Sequence, residues 1–128
     1  MAWALSRDPE AHELYAAPGN PGIAELASCV PINATSIEQL GSFATERDID
    51  LTVVGSEAPL ALGIVDSFRE RGLRIFGPDR RAARIETSKS FAKELCSQFH
   101  IPTPRWETFT DATDAGRALD RFGPPWVV

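Results

Sequence analysis

The chain predicts an α/β fold built on a small parallel sheet, and three observations carry that expectation. Short β-branched or apolar runs alternate with stretches of helical periodicity, the pattern of repeated βαβ units. Most of these runs end near glycine or proline. The run Leu51-Thr52-Val53-Val54 also reads as apolar on both faces, as in a strand covered by helices on both sides. It ends at Gly55, passes Ser56 and Glu57, and meets Pro59 in the first turn of a helix. Leu60, Ala61, Ile64, Val65 and Phe68 follow at helical spacing until Gly72. Ligands of open parallel sheets lie outside the carboxyl ends of the strands, which places Gly55, Ser56 and Glu57 where a ligand would sit.

From the N-terminus, Ala2 to Leu5 read as the last turns of a helix that starts without a cap, and Asp8-Pro9-Glu10 breaks it. A strand is predicted from His12 to Ala17, ending in Pro18-Gly19-Asn20-Pro21-Gly22. A second runs from Ser28 to Ile32, with Pro31 marking an edge or an end. Thr35-Ser36-Ile37-Glu38 fits a capping box, opening a helix with Ile37, Leu40, Gly41 and Ala44 on one face as far as about Arg47. After the strand at 51–54 and its helix, Leu73 to Phe76 is a strand ending at Gly77-Pro78. Helices are predicted over 80–86 and 87–99, the second with Phe91, Leu95 and Phe99 on one face. Arg105 to Phe109 alternates as a strand, Asp111 caps a helix to Phe122, and Trp126-Val127-Val128 begins another strand.

At 128 residues and 43% hydrophobic content the chain is long enough for a globular core. Thirteen Lys plus Arg stand against 18 Asp plus Glu, a net charge of -5, and no basic run exceeds Arg80-Arg81. Nucleic-acid binding through a basic patch is therefore not expected. Cys29 and Cys96 lie far apart without a C-x-x-C motif, which fits buried reduced thiols better than a metal site or a disulfide. No apolar stretch approaches the roughly 20 residues that span a bilayer, and no signal pattern opens the chain, so the expectation is a cytoplasmic protein without membrane association.

Three stretches carry possible chemistry. The Pro18 to Gly22 loop offers backbone amides without side-chain bulk, suited either to a phosphate or ribose or simply to a tight turn. Glu57 at a helix start either interacts with the helix dipole or holds a ligand hydroxyl or amine. Lys89 is placed in a helix first turn, where a cation gains from a nearby anion, and the alternative is a solvated surface lysine. Ser56 has no histidine base near it in sequence, which rules against a serine hydrolase. His12 and His100 read as structural or exposed, and Trp3, Trp106 and Trp126 as packing residues.

Five blocks, Ala17-Pro18-Gly19-Asn20-Pro21-Gly22, Asp50 through Leu60, Ile75-Phe76-Gly77-Pro78, Ser88 through Lys93, and Ile101-Pro102-Thr103, together resemble the phosphoribosylamine-glycine ligase family in order and spacing. The family comprises ATP-grasp enzymes of purine biosynthesis, in which ATP and Mg²⁺ or Mn²⁺ activate glycine for attack by the amine of phosphoribosylamine. The resemblance implies a Rossmann-like parallel sheet, the pre-ATP-grasp domain, over 1–99, and the beginning of an ATP-grasp domain over 100–128. It implies that Gly19, Asn20 and Gly22 line the substrate pocket, that Gly55, Glu57, Pro59 and Leu60 form a second wall, and that Lys89 faces the ATP phosphates. No catalytic residue or metal ligand is assigned. Ser56 stands where the family usually has Pro, and Thr87 where it often has Gly, both tolerable at a turn and a helix start.

Members of the family open with an apolar strand and a Gly-rich loop ahead of the helix that this chain enters at Met1. The resemblance therefore implies a fragment with its first strand missing, inactive in isolation, with small-molecule substrates and no evident protein partner. The alternatives are another ATP-grasp carboxylate-amine ligase or biotin-carboxylase-like fragment, and a non-catalytic flavodoxin-like binding module. A receiver of the latter kind needs an acidic pair and a strand-end aspartate, whereas Asp48 and Asp50 lie at the start of the 51–54 strand.

Overall fold

The computed structural model describes residues 1–10 and 13–127. Helices α1 (Ala2–Leu5), α2 (Pro21–Ala24), α3 (Ile37–Glu46), α4 (Glu57–Ala61), α5 (Ile64–Glu70), α6 (Arg80–Thr87), α7 (Lys89–Gln98) and α8 (Ala112–Phe122) alternate in the first part of the chain with strands β1 (Tyr15–Ala16), β2 (Ser28–Cys29), β3 (Thr52–Val53) and β4 (Ile75–Phe76). The fold is α/β, and the strands form two separate parallel pairs, β1 with β2 and β3 with β4. One sheet was expected, and the described residues form two. The chain divides into two compact units, Met1–Thr87 and Ser88–Val128.

In the first unit the core is a cluster of Ala44, Ile64, Val65 and Phe68, with Ile37, Leu40, Ile49, Val54, Leu60, Leu73 and Ile75 packed against it. It gathers one stripe of α3, the apolar face of α5 and one side of the β3–β4 pair. The 51–54 run is thus covered on one face: Val54 packs on the cluster, while Leu51 is 55% exposed and its cross-strand neighbourhood ends in an exposed Phe76. A two-stranded pair offers little surface for a second helical layer, and full burial of this strand does not occur.

Several boundaries differ from the sequence expectation for identifiable reasons. The helix predicted to run on from Pro59 breaks at Leu62-Gly63, where Gly63 takes φ +86° and starts α5 afresh. Left-handed backbone at low cost is a glycine property, and it lets α5 turn its face to the core. The capping box does not form. Ser36 is the N-cap residue and makes no side-chain cap bond, while Thr35 Oγ1 donates to Asn33 Oδ1 at 2.8 Å. Glu38 is engaged instead by Arg71 at the end of α5, whose guanidinium lies across Gly41 of α3.

The strand expected from His12 is seen only at Tyr15–Ala16, and His12 lies outside the described residues. The strand expected to reach Ile32 ends at Cys29. One further ladder bond follows, from Val30 N–H to Ala16 O at 2.8 Å, before Pro31, which has no N–H to give.

In the second unit no strand forms at 105–109. Trp106 Nε1 donates to Ser97 Oγ at 3.3 Å, Glu107 accepts from Arg121 at 2.8 Å, and the Arg105 guanidinium sits 4.3 Å from the Phe122 ring centroid. Side-chain contacts with α7 and α8 hold this segment, and among the described residues the unit has no strand to pair with it. Trp126 and Val127 are likewise not in a strand, since the Trp126 indole folds back to donate to Leu119 O at 3.2 Å, and Val128 lies outside the described residues. Asp111 does cap α8 as expected, with Oδ1 accepting from Thr113 and Asp114 N–H groups at 2.8 and 3.2 Å. Those bonds, the Asp114 amide first, hold the Asp111 carboxyl below its usual pKa.

Candidate functional site

The loop after β1 is built tightly. Ala17–Pro18 is a cis peptide, and Gly19 follows at φ +78°. A Cβ at Gly19 would stand 2.3 Å from Cys29 Sγ, so the loop lies directly on the end of β2 and only glycine fits there. Asn20 then caps the one-turn helix α2, its Oδ1 accepting from Ile23 N–H at 2.9 Å, with Pro21 in the position that lacks an amide to satisfy. Cys29 Sγ lies 3.8 Å from Asn20 O, a weak thiol contact on the same loop. The thiol is exposed, not buried as the sequence suggested, and both cysteines are free. Upstream, Tyr15 donates from its hydroxyl to Glu13 at 2.6 Å and sets its ring edge-on to Phe43 of α3, with centroids 5.3 Å apart. The Glu13 hydrogen bond is the main cause of a Tyr15 pKa raised above its usual value.

The second candidate stretch follows β3. Gly55 is exposed but meets Met1, whose Cε would be 3.1 Å from a Cβ at this position. Ser56 precedes α4 without a side-chain cap bond, and Glu57 is the acidic residue of its first turn, exposed to solvent. Pro59 is buried and Leu60 packs on the core cluster, so these two anchor α4 and leave Glu57 presented outward. Gly19, Asn20 and Gly22 thus share one loop and helix start, and Gly55 to Leu60 share another. Each lies at the carboxyl end of a parallel strand, and the two strands stand in different pairs. Lys89 opens α7 in the second unit, exposed, beside the N-cap Ser88, whose Oγ accepts from Phe91 N–H at 3.4 Å.

Sequence reasoning passed over Met1 and Tyr15, and it read Cys29 as a buried thiol away from the loop it meets. The contacts that bring them to these loops join residues distant in sequence or depend on ring orientation, and no local motif encodes either. Among the described residues no group of three His, Cys, Asp or Glu side chains is placed to hold a metal ion. No helix among them is long and apolar enough to cross a membrane.

Comparison with known proteins decides the kinship of this architecture. Residues 1–86 match the family described as "Phosphoribosylglycinamide synthetase, N domain". The chain belongs to this family.

Among curated relatives of the synthetase family, the phosphoribosylamine-glycine ligase of Halalkalibacterium halodurans is 44% identical over 128 residues, all of this chain and 30% of the relative. That of Ralstonia nicotianae is 47% identical over 128 residues, and that of Pasteurella multocida 45% over 130, with the same two shares covered. The chain therefore spans about 30% of the length of the curated ligases it matches. Family membership leaves the biotin-carboxylase-like and flavodoxin-like alternatives without support. The loops at 17–22 and 55–60 both fall within the matched residues.

Proposed function

We propose that the chain is part of an ATP-dependent ligase that joins glycine to 5-phosphoribosylamine, giving glycinamide ribonucleotide, ADP and phosphate in purine biosynthesis. The observation that carries this reading is the match of all 128 residues, at 44 to 47% identity, to ligases of that printed activity. The finer assignment is a Rossmann-like pre-ATP-grasp domain over 1–99 and the start of an ATP-grasp domain over 100–128. A compact unit beginning at Ser88 supports a division in this region.

In the ligation a phosphoryl group passes to the glycine carboxylate, the amine of phosphoribosylamine attacks the resulting acyl carbon, and phosphate leaves. ATP supplies the activation. The share assigned to this chain is binding and orientation. The Gly19 to Gly22 segment brings backbone close to the phosphoribosyl group, which a side chain at Gly19 would prevent by displacing the loop from Cys29. Gly55 and Glu57 form the facing wall, with Pro59 and Leu60 fixing the helix that carries the carboxylate. An exposed carboxylate suits the acceptance of hydrogen bonds from ribose hydroxyls or an amine.

Lys89 is assigned to the ATP phosphates, a role supported by its place in the first turn of α7. A single exposed lysine does not build a nucleotide site, and the described residues do not fit Mg²⁺ or Mn²⁺, so no step through either group is derived from this chain. The substrates are small molecules, neither nucleic acid nor membrane is expected as a partner, and the setting is cytoplasmic.

The test is a ligand titration of the chain with glycinamide ribonucleotide, read by amide chemical shifts. Saturable shifts at Asn20 and Glu57 that disappear in Glu57→Ala are expected. Binding that survives the substitution unchanged, or no saturable response from the unsubstituted chain, would remove the substrate role from these loops.

A further inference from the structure

Between α5 and α6 the first unit has an open hollow of about 520 Å³ whose polar lining is Asp66, Ser67, Glu70, Arg80, Arg81 and Arg84. None of the residues assigned to the ligase substrate lies in it. The chain is acidic overall, with a net charge of -5, yet six arginines fall between positions 69 and 84. Arg71 and Arg74 are held by Glu38 and Asp50. Arg80 and Arg81 have no ion-pair partner among the described residues.

The hollow has a fixed frame. Asp66 Oδ2 accepts from the Arg80 backbone N–H at 2.9 Å, which joins the first turn of α5 to the start of α6 and leaves that carboxylate partly satisfied. The Arg80 stem crosses Gly63, its Cδ 3.5 Å from where a Cβ would stand, an ordinary van der Waals distance. Two arginines that line a concave surface and carry forked donors are suited to an oxyanion of tetrahedral geometry. Glu70 on the same lining opposes a highly charged polyanion, whereas a ligand that adds hydroxyl donors to one phosphoryl group meets both signs of charge.

We propose that this hollow binds a single phosphoryl group, as free phosphate or as a phosphate ester, with Arg80 and Arg81 as the forked donors and Arg84 beside them. No residue of the loops at 17–22 and 55–60 lines this hollow, and the proposal does not depend on their assignment.

The experiment is an amide chemical-shift titration of the 128-residue chain with inorganic phosphate and, separately, glycerol 3-phosphate, at low ionic strength so that screening does not mask the interaction. Saturable shifts at Ser67, Arg80 and Arg81 are expected. Arg81→Gln should weaken binding about tenfold, the scale of one charge-assisted pair. Arg74→Gln, an exposed arginine outside the hollow, should leave it unchanged. Tighter binding of the ester identifies a phosphate ester as the ligand, and equal or weaker binding identifies the free ion. Should Arg81→Gln disturb the amide spectrum as a whole, Arg81→Lys takes its place: it keeps the charge and loses the fork, and weakened binding is again expected. No saturation by about 10 mM of either probe would overturn the proposal. So would shifts centred on Asn20 or Glu57, equal weakening by Arg74→Gln, or full affinity in Arg81→Lys.

Discussion

Tyr15 shows how a single contact acquires a measurable consequence. Its hydroxyl donates to the Glu13 carboxylate at 2.6 Å, so the neutral phenol gains a partner that the phenolate would repel. The folded pKa is therefore above the usual value of about 10. A group raised in the folded state adds stability below its unfolded pKa and loses it as the pH climbs through the folded value, so the window lies on the alkaline side. Because the chain has one tyrosine, absorbance of the phenolate reports this group alone. We expect a titration midpoint above that of a free tyrosine, falling towards the ordinary value in Glu13→Gln, and a midpoint unaffected by the substitution would contradict the contact. Gly19 carries information of another kind. Its need for glycine arises from Cys29, ten residues away, whose sulfur occupies the place of a Cβ.

Among the elements, α5 organises the first unit. Ile64, Val65 and Phe68 are its buried positions, and Phe68 and Val65 are the largest fully buried side chains among the described residues. Phe68→Ala removes an aromatic ring from the middle of a small cluster and leaves a cavity there. The expected cost is about 3–5 kcal/mol, measured as a fall in the urea midpoint at unchanged slope. A loss below about 1 kcal/mol would show that the cluster collapses around the gap or that the ring is not at its centre. The Glu38–Arg71 contact between α3 and α5 is a different case. With Glu38 83% exposed on its side chain, solvent screens the pair, and Glu38→Ala should change stability by less than about 1 kcal/mol. Helix periodicity was readable for α3, α5 and α8 because an amphipathic stripe is a local pattern. Strand lengths and the break at Gly63 were not, since both depend on what the element packs against.

At the scale of the whole molecule, the chain belongs to the synthetase N-domain family and spans about 30% of the length of the curated ligases it matches, and the proposed function gives it a share in substrate binding without turnover. We expect no glycine-dependent ADP release by the 128 residues alone. Release above a no-protein blank would show that they carry more of the machinery than the loops assigned to them. The sequence by itself determined the α/β class, the order of the strands in the first unit, the glycine-rich turns at 17–22 and 55, the Asp111 cap and the family, but not the short helix α2. Each is written in residues close together along the chain or in the order of short blocks. The tertiary structure alone decided that the parallel strands stand as two pairs, that the 51–54 strand is covered on one face, and that Glu38 serves an interhelical contact instead of a capping box. It also decided that residues 105–109 are held by side chains without forming a strand, and that Cys29 reaches Gly19 while Arg80 crosses Gly63. Those outcomes turn on which surfaces meet, and a surface finds its partner only once residues far apart in sequence have been brought together.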